Sequence, residues 1–401
     1  MNHHTETPPS VFSLVWLLSY ISIASVSAAI ITPALPAIQV HYALNTGMVE
    51  WIVSAFLIGY VGGQLIYAPL ANQYGRLKAL RIGLVINLIG IIVCLIATRT
   101  DAYWFLIIGR LITALGAASG LACTFMLINE WLHESQRKTA MSYSVLSFAL
   151  GIGLAVVIGG LITEYWNWQG CFWFLLVHGA IMLWGTKVFH ETLATSKPIQ
   201  LMTILKDYSA ALSSSKLVIF SLVVSFCSAI AYCFSAAGPQ IAHNLLSLSA
   251  AHYGYWNSLN IIGMLGGGFL AKALLERLSV NSVLAIGFLG VAMGISSLLL
   301  LWLVDGHSAL WFFLTTTSFY LFSGLLFSGG SLIASNALED KASGAAMMSF
   351  VNMGSATVAV ILMGYLSNNP LLGFILILSF IWVMVGGLLL FYYGRKANLV
   401  S

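Results

Sequence analysis

Charged residues are scarce in this sequence: only 7% of its 401 residues are Asp, Glu, Lys or Arg. Soluble domains carry about 25% charged residues, so this chain could not cover its surface with groups that water solvates. Its hydrophobic fraction is 60%. The composition excludes an ordinary soluble protein and indicates a chain that crosses a membrane several times.

Paired cysteines and clusters of catalytic residues are lacking as well. The five cysteines lie within apolar runs and form no CxxC pair, so we interpret them as packing residues rather than as disulfides or metal ligands. No cluster of His with Glu, Asp or Ser lies near the ends of those runs, which argues against an enzyme. The net charge of +4 gives no indication of a nucleic-acid partner. The cysteines are Cys94, Cys123, Cys171, Cys227 and Cys233.

Twelve long apolar runs fill the sequence, separated by short polar stretches. Runs of roughly 18 or more apolar residues predict membrane-spanning helices, and their continuity excludes the alternating strands of a membrane barrel. The first run lacks the basic flank of a signal peptide, so we expect it to remain as a span. The predicted fold class is an all-α membrane protein with spans at 11–38, 48–71, 79–97, 103–128, 140–163, 169–189, 216–242, 251–274, 281–303, 308–334, 343–366 and 370–393.

Basic residues are distributed very unequally between the two sets of connecting loops. The loops on one side and the C-terminus hold fourteen of them, whereas the opposite loops hold only Arg99, and Arg110 lies inside the fourth span. The positive-inside rule then predicts that both termini are cytoplasmic, in a cell inner membrane. The fourteen are Arg76, Lys78, Arg81, Arg137, Lys138, Lys187, Lys197, Lys206, Lys216, Lys272, Arg277, Lys341, Arg395 and Lys396.

The longest loop divides the chain into two sets of six spans. We predict an N-terminal bundle at 1–190, a cytoplasmic linker at 191–215 and a C-terminal bundle at 216–401. The linker contains Ile199, Met202 and Leu205 at the spacing of an amphipathic helix, which could lie along the membrane surface. "PLANQYGRLKAL" after the second span is weakly echoed by "GGFLAKALLERLSV" after the eighth. Such a six-plus-six repeat is typical of secondary transporters with a substrate site near the membrane midplane.

Four stretches carry a more specific signal. "TPALPAI" (32–38) ends the first span, "APLANQYGRLKAL" (68–80) follows the second, "RLITALGAA" (110–118) lies in the fourth, and "GIGLAVVIGG" with "WNW" (151–168) covers the fifth. In order and spacing they resemble the major facilitator superfamily, specifically its drug:proton antiporter branch of the Bcr/CflA type. The resemblance implies two six-helix bundles that rock around a central site, working as a monomer in the lipid bilayer.

The sequence departs from that family's pattern at positions associated with switching and antiport. The aspartate of the loop signature is Asn72 here, and the acidic residue that Bcr-type proteins often carry in the first span is Ala29. The proline of the fifth-span signature is missing, because Ala155 and Val156 precede the two glycines. By resemblance, the expected conformational switch comprises Asn72, Gly75, Arg76, Gly159 and Gly160. Proton antiport, symport and import all stay open.

Arg110 is the one basic residue deep inside a span, about 10 Å from its nearer end at 1.5 Å per residue. It could extend to water or bind backbone carbonyls, but an intramembrane charge usually faces a functional cavity. We therefore expect Arg110 to contribute to substrate binding. No acidic residue lies mid-span: Glu50 begins the second span, as a solvated helix-start carboxylate or as a proton-linked or Arg110-pairing group, and Glu130 is expected to contact Arg137.

An unpaired arginine in a cavity is a receptor for carboxylate or phosphate groups. This favours an anionic or zwitterionic substrate, such as a carboxylate siderophore or a metabolite. The resemblance places the cavity mainly between spans 1, 4, 7 and 10, which adds Tyr20, Tyr232, Asn257 and Tyr320 as candidate substrate contacts. His178 lies in a span that packs peripherally in this superfamily, so we interpret it as structural.

The sequence thus predicts a secondary transporter that moves a small organic solute by alternating access, without a bound cofactor and with a proton gradient as its candidate driving force. The main alternative is a proton-coupled multidrug efflux antiporter of the Bcr/CflA type. A transporter-like sensor that moves no solute is the remaining alternative, disfavoured because no large soluble domain is present to relay a signal.

Overall fold

The computed structural model describes residues 11–132, 134–193, 195–196, 198–338 and 341–398. Secondary structure in these ranges is entirely helical. Twelve helical segments in them are long and apolar enough to cross a membrane. This confirms the all-α, twelve-span fold class. Most span limits differ from those predicted by a few residues, but the first span begins at Ser22 rather than at 11 and the fifth at Ser147 rather than at 140.

The helices follow one another with short connections. The α-helices are α1 (Val11–Ser19), α2 (Ser22–Ala29), α3 (Leu35–His41), α4 (Thr46–Tyr74), α5 (Arg76–Thr100), α6 (Tyr103–Trp131), α7 (Glu134–Tyr165), α8 (Gly170–Gly185), α9 (Leu201–Leu212), α10 (Ser215–Asn244), α11 (Ala250–Leu275), α12 (Val280–Leu303), α13 (Ala309–Ser335), α14 (Lys341–Leu366) and α15 (Pro370–Asn398). Short 3₁₀ turns lie at Thr32–Ala34 and Thr186–Val188.

The first span is not the continuous helix that the sequence predicted over 11–38. It breaks after α1 and again at the 3₁₀ turn, which contains Pro33 and precedes Pro36. Proline has no amide hydrogen to donate and disfavours a helical conformation in the residue before it. The turn packs against α7, α10 and α11, so this break lies where the first and last six spans meet.

The two ends of the bundle are distinguished by charge. We call the end with the connections after α4, α6, α8, α11 and α13 the basic face, and the opposite end the far face. Helices α4 and α7 of the first six spans pack against α14 and α11 of the last six. These two helix pairs form the main contact between the halves.

The linker between the sixth and seventh spans contains the helix that its spacing predicted. Helix α9 packs against α10 and α14, with Ala211 buried and Met202 81% exposed. Leu205 lies in α9, but its side chain is outside the described part of the structure. The exposed methionine is consistent with the predicted amphipathic character.

Candidate functional site

Three tyrosines lie near one another between the halves, each in the middle third of its helix. Tyr60 on α4 is buried, and Tyr232 on α10 and Tyr320 on α13 are half-buried. The hydroxyl of Tyr232 lies within Coulombic range of those of Tyr60 and Tyr320. We call Tyr60, Tyr232 and Tyr320 the tyrosine cluster. It combines aromatic faces with hydroxyl groups near the level at which a central transport site is expected.

Further aromatic rings extend the cluster into both halves. Phe56 stacks on Tyr60, with ring centroids 6.5 Å apart and an interplanar angle of 14°. On the other side, Phe234 contacts Tyr320 edge-on at 6.0 Å and stacks on Tyr253 at 6.3 Å. Aromatic rings thus lie on both sides of the boundary between the halves, Phe56 with Tyr60 in the first and Phe234 with Tyr253 and Tyr320 in the second.

Arg110 contacts this region through the ring of Phe56. Its guanidinium carbon lies 4.5 Å from the centre of the Phe56 ring. Its Nη1 donates to the Ser27 carbonyl at 2.7 Å and its Nε to the Ile52 carbonyl at 3.3 Å. The side chain therefore ties α6 to α2 and α4. With only 1% of the residue exposed, the guanidinium binds backbone carbonyls in this conformation, which is one of the alternatives that the sequence left open.

Glu50 is buried rather than solvated, so its interpretation as a solvated helix-start carboxylate is wrong. The residue is 2% exposed, and its Oε2 has no hydrogen-bond partner within the described ranges. The only ion pairs among the described residues are His41–Asp101 and Arg76–Glu130, so Glu50 and Arg110 are not paired. The carboxyl lies against Gly364 of α14 and within Coulombic range of Cys233 of α10. It therefore faces the opposite half of the molecule.

Two of the candidate substrate residues lie in separate hydrogen-bond networks. Tyr20 is fully buried and donates its hydroxyl hydrogen to the Met182 carbonyl at 2.7 Å, which directs it toward α8. Asn257 accepts a 2.9 Å hydrogen bond from Asn260, whose own Oδ1 accepts one from Thr316. The structure thus brings Tyr232 and Tyr320 together but joins neither Tyr20 nor Asn257 to the tyrosine cluster.

Phe56 and Tyr60 of α4 were not among the predicted site residues. Phe56, Tyr60 and Gln64 are spaced by four residues, so they lie along one face of the helix. Gln64 Oε1 accepts a 3.1 Å hydrogen bond from Ser349 of α14, across the boundary between the halves. One turn further along α14, Asn352 is buried and its Oδ1 has no partner. The i, i+4, i+8 pattern was the available signal.

The predicted switch residues of the basic face form part of an ionic network. Arg76 binds both carboxylate oxygens of Glu130, with the shortest distance 2.6 Å, and donates to the Ala71 carbonyl at 2.7 Å. The expected contact between Glu130 and Arg137 is therefore wrong, and Arg137 instead donates to the Leu132 carbonyl at 3.4 Å. The pairing crosses from α5 to α6 because the two helix ends meet there.

The start of the linker is fastened to the same network. The carboxylate of Glu191 accepts hydrogen bonds from the backbone amides of Arg76 at 2.8 Å and Leu77 at 3.1 Å, capping the N-terminus of α5. Gly75 has a φ of 114°, and a Cβ there would lie 2.6 Å from the Glu191 carboxyl carbon. Only glycine meets both conditions without strain. Asn72 lies half-buried in the last turn of α4.

At the far face, the two halves are in direct contact. Glu164 of α7 accepts a 2.8 Å hydrogen bond from the backbone amide of Ala251 on α11. Trp51 of α4 donates its Nε1 hydrogen to the Tyr365 hydroxyl at 2.9 Å, and Thr46 donates to the Asn368 carbonyl at 3.3 Å. We call these three residue pairs the far-face contact, and they hold this end of the molecule closed.

The two predicted switch glycines of α7 allow close approach to neighbouring backbone. A Cβ at Gly160 would lie 2.5 Å from the Ala250 carbonyl oxygen of the opposite half. A Cβ at Gly159 would lie 2.9 Å from the Ile30 carbonyl carbon, at the break in the first span. A side chain at either position would therefore force the helices apart.

Comparison with known proteins agrees with this architecture. The sequence pattern described as Major Facilitator Superfamily matches residues 17–338. The nucleoside transporter NupG, a solved structure, has a TM-score of 0.77 at 13% identity, covering 95% of this chain and 99% of that one. At such low identity, this similarity concerns the fold alone.

Two curated bacterial relatives are similar to this chain in sequence. Multidrug resistance protein D of Escherichia coli is 24% identical over 358 residues, covering 86% of this chain and 87% of that protein. A bicyclomycin resistance protein homolog of Haemophilus influenzae is 22% identical over 261 residues, covering 64% of this chain and 63% of that protein. The match to a further relative covers only 27% of the length of that relative. The chain thus spans less than two thirds of some relatives that it matches.

Proposed function

Within the Major Facilitator Superfamily, to which this chain belongs, we propose that it is an exporter of amphiphilic organic molecules, of the Bcr/CflA type. The names of the two bacterial relatives, a multidrug resistance protein and a bicyclomycin resistance protein homolog, support export of such compounds. The bacterial relatives and the twelve spans indicate a multi-pass protein of the inner membrane. The excess of Lys and Arg on the basic face supports a cytoplasmic position for that face and for both termini.

The observation that carries this proposal is the tyrosine cluster. Aromatic faces bind apolar ring systems and organic cations, and tyrosine hydroxyls donate or accept single hydrogen bonds. Such a surface suits compounds with a large apolar body and a few polar groups. Because Tyr60 belongs to the first six spans and Tyr232 and Tyr320 to the last six, a compound bound there would contact both halves.

Alternating access follows from the position of the cluster relative to the far-face contact. With the far face closed, a substrate would reach the cluster from the basic face. Separation of Glu164 from Ala251 and of Trp51 from Tyr365 would open the opposite route. The unit at 1–190 would then rock against that at 216–401, with the linker at 191–215 connecting them.

Arg110 favours a second candidate function, the transport of an anionic or zwitterionic solute. It carries a buried charge without an acidic partner among the described residues. It contacts the aromatic region through Phe56, which stacks on Tyr60. For direct binding of a carboxylate, its guanidinium would have to leave the Ser27 and Ile52 carbonyls. That requirement makes this the second candidate.

Efflux from cells that lack their own drug pumps tests the main proposal. We expect wild-type protein to lower the accumulation of a fluorescent amphiphilic dye, and Tyr232→Ala to reduce that activity about tenfold, since an aromatic contact contributes about 1.5 kcal/mol. Tyr232→Phe keeps the ring and should retain most of the activity. Tyr255→Phe and Tyr255→Ala, on an exposed position of α11, are the matched controls. Wild-type efflux by Tyr232→Ala at equal expression would refute the role of the cluster.

A further inference from the structure

The carboxyl of Glu50 is enclosed by the closing of the two halves. It lies one turn into α4, in the same stretch as Thr46 and Trp51 of the far-face contact. Its Oε2 has no hydrogen-bond partner, although the residue is 98% removed from solvent. A buried polar atom without a partner requires an explanation, because native proteins contain few of them.

The opposite half closes tightly over this carboxyl. A Cβ at position 364 would lie 2.5 Å from Glu50 Oε2 and 2.9 Å from the Cα of Gly47. Gly364 therefore makes room for both the carboxyl and the helix crossing. When the halves separate at the far face, α14 moves away from α4 and the carboxyl becomes accessible to water.

In the part of the chain that the structure describes, the groups near Glu50 offer no compensating positive charge. Helix α10 contributes Cys233, which lies within Coulombic range of the carboxyl, and α14 contributes Tyr365, whose ring packs against Gly47. Helix α6 contributes Tyr103, whose hydroxyl donates to the Met48 carbonyl. These three side chains are neutral near pH 7 unless strongly perturbed.

The cations on neighbouring elements are engaged elsewhere. The guanidinium of Arg110 on α6 binds the Ser27 and Ile52 carbonyls and lies beyond ion-pair distance of Glu50. His41 of α3 pairs with Asp101 at 2.9 Å, and Arg99 of α5 is exposed. A carboxylate anion at Glu50 would thus be stripped of water without an ion pair in return, whereas a carboxylic acid would not carry that penalty.

We propose that Glu50 is the proton-binding site of the far-face contact and that the contact closes fully only when Glu50 is protonated. In the open state, the carboxylate takes a proton from water at the far face, forming an O–H bond. Closure then buries the neutral acid. Release of that proton to water on the side of the basic face then recreates the anion and favours opening of the far face. This inference rests on the proposed function, because it supplies the ion to which an alternating-access exporter would couple its cycle.

Glu164, the carboxylate of the far-face contact, is stable as an anion, unlike Glu50. Glu164 is exposed and accepts a hydrogen bond from the N-terminus of α11, where a negative charge is stabilised. It therefore holds the contact closed as an anion and has no need of a proton. Variants of the two glutamates form a matched pair. A Glu50 variant tests proton sensing, and a Glu164 variant tests the hydrogen bond that holds the halves together.

Distance measurements on the substrate-free protein test the inference. Nitroxide labels on Thr100→Cys and His307→Cys report the separation of the halves, because both positions are exposed at the far face. Cys94, Cys123, Cys171 and Cys233 are buried and protected from the label, and half-buried Cys227 is replaced by serine. Pulsed electron resonance in lipid nanodiscs between about pH 5 and pH 9 then gives the populations of the closed and open far face.

We expect the short distance to dominate at low pH and a longer one to appear as the pH rises. Glu50→Gln, a neutral isostere, should keep the short distance at every pH. Glu164→Gln should increase the long population at every pH while leaving the pH dependence intact. Infrared difference spectra provide a second readout: wild-type protein should lose a protonated-carboxyl band on going to high pH, and Glu50→Gln should lack that change.

Two results would overturn the inference. One is a wild-type distance distribution that does not change with pH, and the other is an equal pH response in wild type and Glu50→Gln. Both measurements use the protein without substrate, so they are independent of which compound is transported. If the distance measurements show no proton sensing while dye efflux is normal, only the role of Glu50 is refuted. If proton sensing is normal but no dye is exported, the proposed function is refuted.

Discussion

The carboxylate of Glu164 accepts a 2.8 Å hydrogen bond from the backbone amide of Ala251, joining the end of α7 to the start of α11. This bond connects the fifth span to the eighth, and therefore the first six spans to the last six. The acceptor is an anion and the donor belongs to the first turn of a helix, an arrangement that strengthens the bond. The closed far face thus depends partly on one exposed carboxylate.

Neutralising this carboxylate should weaken the closed state. Glu164→Gln removes the charge near the helix N-terminus, and for an exposed group the loss is about 0.5–1 kcal/mol, or two- to fivefold in the ratio of closed to open protein. The label pair described above measures that ratio directly. Glu276→Gln, at an exposed carboxylate just after α11 on the basic face, is the control, and an equal shift in both variants would contradict the assignment.

Adding a methyl group at the crossing of α4 and α14 should prevent complete closure. Gly364→Ala would place a Cβ 2.5 Å from Glu50 Oε2 and 2.9 Å from the Gly47 Cα. We expect a larger open population and dye efflux reduced severalfold. Gly354→Ala is a control on the same helix, because a Cβ there meets nothing within 4 Å and alanine favours a helix by about 1 kcal/mol. Identical behaviour of the two variants would argue against this crossing as a closure point.

Replacing Arg110 should destabilise the first six spans. Arg110→Gln shortens the side chain and leaves the Ser27 and Ile52 carbonyls without their donor, at an expected loss of about 3 kcal/mol in the free energy of unfolding. Thermal unfolding in detergent should show a lower midpoint. Arg99→Gln, at an exposed arginine, should leave the midpoint within experimental error. A wild-type midpoint for Arg110→Gln would mean that the carbonyl contacts carry little stability.

Removing the cap at the start of α5 should loosen the basic face. Glu191→Ala deprives the amides of Arg76 and Leu77 of their acceptor, which for a helix cap costs about 1 kcal/mol. Hydrogen–deuterium exchange of the first turn of α5 should accelerate about fivefold. Thr195→Ala, at an exposed position in the same linker, serves as control. Unchanged exchange at Arg76 and Leu77 in the Glu191 variant would refute the capping role.

The membrane spans could be predicted from the sequence, whereas the contacts between residues far apart in sequence could not. Hydrophobicity alone located all twelve spans, because lipid imposes a minimum length of apolar helix. The breaks in the first span were less predictable, although Pro33 and Pro36 marked the second of them. The partner of Glu130 was predicted from nearness in sequence, but Arg76 reaches it through the packing of α5 against α6.

The same distinction applies to the candidate site. Tyr232 and Tyr320 could be named because the family resemblance indicated their helices, and Tyr60 could have been found from its spacing with Phe56 and Gln64. The burial of Glu50 depends on how close α14 approaches α4, and no local pattern encodes that distance. Whether Arg110 faces a cavity or backbone carbonyls likewise depends on how α2 packs against α6, which no local pattern encodes.

Uptake into inverted membrane vesicles tests the central claim, export of amphiphiles through the tyrosine cluster, most directly. Vesicles containing wild-type protein or Tyr232→Ala receive a proton gradient and, in parallel, a labelled amphiphilic dye and a labelled organic carboxylate. We predict that wild-type vesicles accumulate the dye, that Tyr232→Ala vesicles accumulate about a tenth as much, and that neither concentrates the carboxylate. Accumulation of the carboxylate without the dye, and its loss in Arg110→Gln, would contradict the account and favour the anionic substrate.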